Sequence, residues 1–442
     1  MSTTHQTSRS HQRRVALASL IGSSVEYYEF FIYGLSASLV FGKLFFPSVD
    51  PVAGTLLSLS TFGVAFLARP IGGWLLGHFG DRIGRRTVLV LTLVGMGGAT
   101  TLVGLLPGYN TIGIAAPIML VVLRVIQGLA VAGGTTGGFL LTYEHTESGG
   151  RRGLFTGAVS TGSLVGLLLA NGAFFLVNLL PKDQFMLWGW RLPFIASIAL
   201  VGVGLYIRNR LAESPDFTEA KDSGQVSSNP ALEVIREHPL RFVGLVLVTV
   251  PQSIFFYLGS VFSLSYAPKV GVSSTTVSLL VMVICALLVF VMPLFGWIGD
   301  RTSRPRAVFA GGMVVMVIAP FVWFSLFGTR NPVLLFIGFA LLLGGFAVNY
   351  SVQGMYYPQL FPPHLRYTAI GVSSAVGNVL GGAFAPLIAV WLMNSSGSWV
   401  PVAGYMTAVA TLALVITLFL RPGASSPIRE LDLGPEPEGA LS

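Results

Sequence analysis

Charge is scarce in this chain. Only 10% of its 442 residues are Asp, Glu, Lys or Arg, against about 25% in soluble domains. With 53% hydrophobic residues and a mean hydropathy of +0.75, that deficit excludes a soluble enzyme. Cysteine is nearly absent: Cys285 stands alone inside an apolar run, so no disulfide framework is possible and its plainest role is a small core hydrophobe. No apolar run contains a mid-membrane histidine. The six, at 5, 11, 78, 145, 238 and 364, lie in scattered segments between or before the runs. A membrane enzyme would need clustered catalytic or metal-ligating side chains, so neither an enzyme nor a metal site is expected. The Gly-rich stretch 133–138 lacks the Gly-Lys-Ser/Thr of a phosphate-binding loop, so no nucleotide cofactor is expected. Residues 1–14 are polar and basic, and the run after them is too long for a signal-peptide core, so no cleaved leader is expected.

Long apolar runs are plentiful. Twelve are long enough to cross a bilayer core of about 30 Å, at roughly 15–42, 54–78, 87–107, 112–142, 153–180, 190–208, 241–267, 274–299, 307–327, 332–357, 367–393 and 399–420. With 53 Gly, close helix packing in lipid follows. The longest hydrophilic break, 209–239, separates an N-terminal half (15–208) from a C-terminal half (240–421), with tails at 1–14 and 422–442; the second tail has the composition of a disordered segment. The expectation is an all-α membrane protein of twelve transmembrane helices in two six-helix halves. The net charge of +8 does not indicate nucleic acid, because Lys and Arg are placed by topology. Of the 26, 19 fall on the side that carries both termini and the central loop, 5 on the opposite side, and 2 within spans. Positive residues accumulate on the cytoplasmic side, so both termini are expected there.

The halves repeat each other. Gly77-His-Phe-Gly80-Asp81-Arg82-Ile-Gly84-Arg85-Arg86 joins the second and third spans, and Gly296-Trp-Ile-Gly-Asp300-Arg301 returns after the eighth, with the two aspartates 219 positions apart. Arg151-Arg152-Gly-Leu-Phe-Thr-Gly opens the fifth span as Leu365-Arg366-Tyr-Thr-Ala-Ile-Gly opens the eleventh. Half-length repeats of this kind are a transporter signature. Gly80, Asp81, Arg82, Gly84, Arg85 and Arg86, with Glu144 at the end of the fourth span, read as an ionic latch on a gate. Asp300 and Arg301 are the counterpart, with Gln359 in the place of Glu144. Topology alone is the plainer reading of the same residues.

A charge near a helix centre costs roughly 2.5–3.5 kcal/mol, so each one needs a reason. Four occur, all in the first half: Glu26 and Glu29 in the first span, Arg69 in the second and Arg124 in the fourth. Their depths allow all four to meet across one aqueous cavity. Glu26, Glu29 and Tyr33 share a helix face, and two nearby carboxylates resist being ionised together, which suits proton coupling. Structural Glu–Arg pairs are the alternative. Arg124, with Gln127 one turn on, suits a substrate carboxylate or an internal acid. The second half offers Gln252, Tyr257, Asn349, Gln353, Tyr356, Tyr357 and Asn378, as ligands for a small polar solute or as helix-to-helix glue.

These segments carry a resemblance. Val25-Glu26-Tyr27-Tyr28-Glu29-Phe30-Phe31-Ile32-Tyr33-Gly34, Phe66-Leu67-Ala68-Arg69-Pro70, the hinge 77–86, Arg124 through Gly128, Gly189-Trp190-Arg191-Leu192-Pro193-Phe194 and Leu365-Arg366-Tyr367-Thr368 together resemble the metabolite:proton symporters of the major facilitator superfamily. That family includes bacterial proline/betaine, citrate, α-ketoglutarate and shikimate transporters. The resemblance implies the major facilitator fold, alternating access, and proton-coupled symport of a small organic acid or zwitterion by a monomer in the bacterial cytoplasmic membrane. The rival within transporters is a proton antiporter exporting amphipathic compounds. The chain departs from the family pattern where Glu29 replaces Asp, Tyr27 replaces Trp, and Thr135 and Gln359 stand where Glu is common. Glu26 and Glu29 are thus the acids left at mid-membrane.

Overall fold

The computed structural model describes residues 9–146, 151–208 and 230–421. Among these there are helices and turns but no strands, and twelve helices are long and apolar enough to span a bilayer. We number the spans α1 (Gln12–Phe45), α2 (Leu56–Phe79), α3 (Arg86–Leu105), α4 (Ala115–His145), α5 (Arg152–Val177), α6 (Gly189–Tyr206), α7 (Pro239–Val270), α8 (Ser274–Thr302), α9 (Pro305–Phe327), α10 (Pro332–Leu360), α11 (Pro363–Ser396) and α12 (Val400–Phe419). An even number of spans returns the chain to the side where it began. We call this the terminal side. Residues 209–229 and both tails lie outside the described residues; Pro230–Glu237 forms a short helix before α7.

Each half has its own apolar core. In the first, Trp190, Phe41, Phe45, Phe194 and Tyr33 pack together; in the second, Trp323, Phe324, Phe327, Phe339 and Tyr266 do so. Aromatic edges meet faces here, as at Phe41–Trp190 (5.6 Å) and Trp323–Phe339 (5.4 Å). The repeat is visible in backbone irregularities as well. One turn of π-helix interrupts α1 at Ala37–Phe41 and α7 at Leu258–Phe262, in matching places. α5 also breaks at Thr161, and α11 at Phe384, nine residues further along when the two spans are aligned on Gly157 and Gly371.

The halves meet along two seams on the terminal side, both built on glycine. In the α2–α11 seam, a Cβ on Gly73 would stand 3.1 Å from the Gly371 carbonyl oxygen, and one on Gly77 would stand 2.8 Å from Thr368 Cα. In the α5–α8 seam the backbones of Gly153 and Gly296 cross so closely that a Cβ on either would overlap the other's carbonyl oxygen. Close approach of this kind is what the many glycines supply. The α2–α3 connector turns at Gly84, with φ 104° and ψ 153°, a conformation essentially reserved for glycine.

Candidate functional site

A small cavity of about 90 Å³ lies between the halves at mid-span. The first half contributes Glu26, Tyr27 and Phe30 from α1, Arg69 from α2, and Val131, Thr135 and Thr136 from α4. The second contributes Thr249 and Gln252 from α7, Tyr350, Gln353 and Tyr357 from α10, and Ser374 and Asn378 from α11. On the terminal side the glycine seams close beneath it, with Tyr367 donating to the Gly133 carbonyl at 2.5 Å. On the far side an aromatic layer crosses between halves: Phe31 lies 6.1 Å from Phe256, and Phe66 lies 5.6 Å from Tyr257. The Tyr27 and Tyr350 hydroxyls, 2.9 Å apart, bridge the halves inside the cavity.

The depth argument expected the four intramembrane charges to meet across one cavity; they do not. Glu26 and Arg69 line the cavity; Glu29 and Arg124 are fully buried behind it. The cause is angular. Residues three apart on a helix diverge by about 60°, so the two carboxylates face different neighbours. Glu26 faces α4, where it accepts from the Thr135 hydroxyl at 3.3 Å and fits because Gly134 has no side chain. Glu29 faces α3, where one oxygen accepts from the Thr100 hydroxyl at 3.2 Å and the other has no hydrogen-bond partner.

Arg124 joins Glu29 through intermediaries. Its guanidinium donates to Gln127 at 3.1 Å, Gln127 donates to the Thr100 hydroxyl at 2.7 Å, and Thr100 meets Glu29. The Arg124 guanidinium also lies 4.0 Å from the centre of the Tyr33 ring, and the Tyr33 hydroxyl pairs with Thr61 at 2.7 Å. Arg69 is held differently. It stacks over Phe30 (4.7 Å) and Phe66 (4.4 Å), and its buried Nε has no hydrogen-bond partner.

Among second-half candidates, Gln252, Gln353, Tyr357 and Asn378 line the cavity, while Asn349, Tyr356 and Tyr257 do not. Asn349 is spent inside its own half, donating to the Phe309 carbonyl and accepting from Gln252. Tyr356 donates to the Leu420 carbonyl at 2.8 Å, and Tyr257 belongs to the aromatic layer. Tyr27, Phe30, Thr135, Tyr350 and Ser374 line the cavity and were not among the expected residues. For Tyr350 the signal was available: 350, 353 and 357 form one helical stripe, whereas 349 and 356 begin the adjacent one.

On the terminal side Asp300 reaches across the α5–α8 seam. Its two oxygens accept from the backbone N–H groups of Gly153 (2.6 Å) and Leu154 (2.8 Å), at the positive end of α5. Glu144 meets Arg366 of the other half at 4.0 Å, and Arg366 also donates to the Pro358 and Phe361 carbonyls. Arg301 instead lies over Trp297, 5.2 Å from the ring centre, on the exposed edge. Gln359 lies off the Asp300 contact, beside a second, terminal-side hollow with Arg304 and Arg306. The side chains of Gly80, Asp81, Arg82 and Arg85 lie outside the described residues; Arg86 is half-buried.

Two successive matches to the Major Facilitator Superfamily cover residues 19–268 and 255–438. The chain belongs to the major facilitator superfamily. It is 38% identical over 413 residues to the inner membrane metabolite transport protein YhjE of Escherichia coli (strain K12), covering 92% of this chain and 93% of that one. It is 36% identical over 421 residues to the shikimate transporter of the same organism (94% and 95% covered), and 31% identical over 431 residues to its proline/betaine transporter (94% and 85%). Among solved structures it resembles the proton:xylose symporter XylE, with a TM-score of 0.67 at 17% identity, covering 93% of this chain and 95% of that one. The chain is therefore a multi-pass membrane transporter, not an enzyme.

In a transporter whose repeated halves meet at this seam, the Asp300 contact has a measurable consequence. Hydrogen bonds to a charged group are worth about 1.5–3 kcal/mol. Asp300→Asn removes the charge and one of the two bonds, and so favours parting of α5 from α8. The expected result is a rise of about tenfold in maleimide labelling, from the terminal side, of a cysteine placed at Gln353 in a Cys285→Ser background.

Proposed function

We propose that this transporter is a proton-coupled symporter that carries a small organic acid or zwitterion inward across the cytoplasmic membrane as a single chain, with both termini in the cytoplasm. The carrying observation is Arg69: a guanidinium in the inter-half cavity, stacked on two rings, with a buried Nε left without a partner. A buried donor without an acceptor is costly, and a carboxylate is the group that a guanidinium fork fits best. Shikimate, proline and betaine, transported by relatives of this chain, each carry one carboxylate. The rest of the wall, with Tyr27, Gln252, Tyr350, Gln353 and Asn378, suits hydroxyl and amide chemistry better than an amphipathic cation. Glu26 and Glu29 supply the proton sites, and the excess of Lys and Arg on the terminal side supports its cytoplasmic placement. With the glycine seams closed, the cavity would be shut toward the cytoplasm.

The test is uptake into proteoliposomes under an imposed acid-outside gradient, with a panel of hydroxylated carboxylates, amino acids, betaines and choline. Accumulation should be confined to compounds that bear a carboxylate. Accumulation of choline or lipophilic cations, or their expulsion against the gradient, would favour the exporter instead.

A further inference from the structure

The terminal-side hollow beside Gln359 has no part in the solute path. Its volume is about 350 Å³, larger than the cavity between the halves, and it lies within the second half, where α9 begins and α12 ends. Its floor is apolar and small, with Ala307 and Ala310 from α9 and Leu418 from α12. Its rim is cationic. The Arg304 side chain is exposed and makes no hydrogen bond among the described residues. Arg306 donates from Nε and Nη2 to the Thr417 and Leu418 carbonyls at the end of α12, which leaves Nη1 free of a bond among the described residues. No carboxylate among the described residues lines the hollow, and Asp300 is turned into the α5–α8 seam. From the hollow a stripe runs along α9. Ala307, Gly311, Val314, Ile318 and Phe321 recur at helical spacing and all are exposed. The stripe is small at the hollow and bulky further on. A Cβ on Gly311 would meet nothing within 4 Å, so these small residues do not serve helix packing as those of the seams do. They leave a recess at the depth where α9 enters the bilayer.

We infer that this hollow binds one anionic phospholipid of the leaflet on the terminal side, with its phosphate between Arg304 and Arg306 and an acyl chain along the α9 stripe. Guanidinium groups fit phosphate oxygens, and basic recesses among transmembrane helices take anionic headgroups. The apolar floor and the exposed stripe that continues it suit a lipid better than a water-soluble anion. The competing occupant is the chain's own tail, 422–442, which follows α12 and carries Glu430, Asp432, Glu436 and Glu438; the stripe, which faces the bilayer, favours the lipid. The topology proposed above makes this the cytoplasmic leaflet, but the binding stands apart from that reading and from symport.

Native mass spectrometry of the full chain in detergent tests this, with phosphatidylglycerol, phosphatidylcholine and inorganic phosphate titrated in turn. One phosphatidylglycerol should be retained at least tenfold more tightly than phosphatidylcholine. Arg304→Gln should weaken that binding about tenfold, the effect of losing one charge-assisted hydrogen bond, and Arg304→Lys should recover part of it. Ala307→Phe keeps every charge and fills the recess, and should weaken phosphatidylglycerol binding as well. Both positions are exposed, so the variants should remain folded. Equal retention of the two lipids would overturn the inference, as would phosphatidylglycerol binding unchanged in either Arg304→Gln or Ala307→Phe. Displacement of the lipid by millimolar inorganic phosphate would assign the hollow to a soluble anion instead. A photoreactive residue at position 307 that captures residues 422–442 rather than lipid would assign it to the tail, and either result overturns the lipid site.

Discussion

Arg69→Gln should abolish detectable uptake while leaving a folded protein. In the proposed complex the Arg69 fork pairs with a solute carboxylate inside a cavity closed on both sides. Truncating one partner of a buried charge pair costs about 3–5 kcal/mol, much of it from the charge left behind. At about 1.4 kcal/mol per decade, solute affinity should fall by roughly 100- to 4,000-fold. Arg69→Lys retains a point charge without the planar fork and should recover only part of this. Two readings separate binding from folding: equilibrium binding of the best solute, which should collapse, and melting of the empty protein, which should change little. In the empty protein Arg69 stacks on Phe30 and Phe66, at about 0.5–1 kcal/mol per contact or somewhat more where desolvated, and bonds to the Tyr257 hydroxyl. Unchanged affinity in Arg69→Gln would remove the carboxylate reading of the cavity.

Gly153→Ala and Gly296→Ala should both cut turnover at one step, closure of the α5–α8 seam, rather than at solute binding. At this crossing each glycine's missing Cβ is occupied by the carbonyl oxygen of the other. Backbone cannot swing aside as a side-chain tip can, so a single methyl forces α5 and α8 apart. Overpacking costs about 1–3 kcal/mol. Separation also breaks the Asp300 bonds to Gly153 and Leu154, which adds about 1.5–3 kcal/mol. Together these exceed the few kcal/mol that separate the states of a working two-state carrier. Transport should fall about 100-fold or more, with solute binding from the terminal side retained. A cysteine at Gln353 should react with maleimide from that side faster than in wild type. Wild-type turnover in either variant would mean that the α5–α8 seam does not close during transport.

Much of the architecture is legible before any coordinates, because lipid imposes it. Spans need length and apolarity, loops on one side need positive charge, and the two halves repeat the Gly-Asp-Arg connector. The residues of the site are legible only in part. Charges at mid-span announce themselves by their cost, so Glu26, Glu29, Arg69 and Arg124 are found at once. Their division is not found, since the 60° between Glu26 and Glu29 leads to α4 or α3 only once those helices are placed. Uncharged cavity residues have no such signal. Asn349 and Tyr350 are adjacent and equally polar, and the rotation of α10 alone sends one to the Phe309 carbonyl and the other to Tyr27. Tyr27 is half of a hydroxyl pair that bridges the two halves inside the cavity, a role that nothing in the sequence around it announces. The π-turns in α1 and α7 are also silent in sequence, because no residue type marks them.

Coupled proton movement tests the account most directly. Purified protein in proteoliposomes with a trapped pH dye is presented with each solute of the carboxylate panel, alongside Glu29→Gln. For at least one solute, protons should move with the compound and in the same direction, and Glu29→Gln should bind that solute while moving no protons. Solute flux without protons, protons moving opposite to solute, or undiminished proton movement in Glu29→Gln would contradict it.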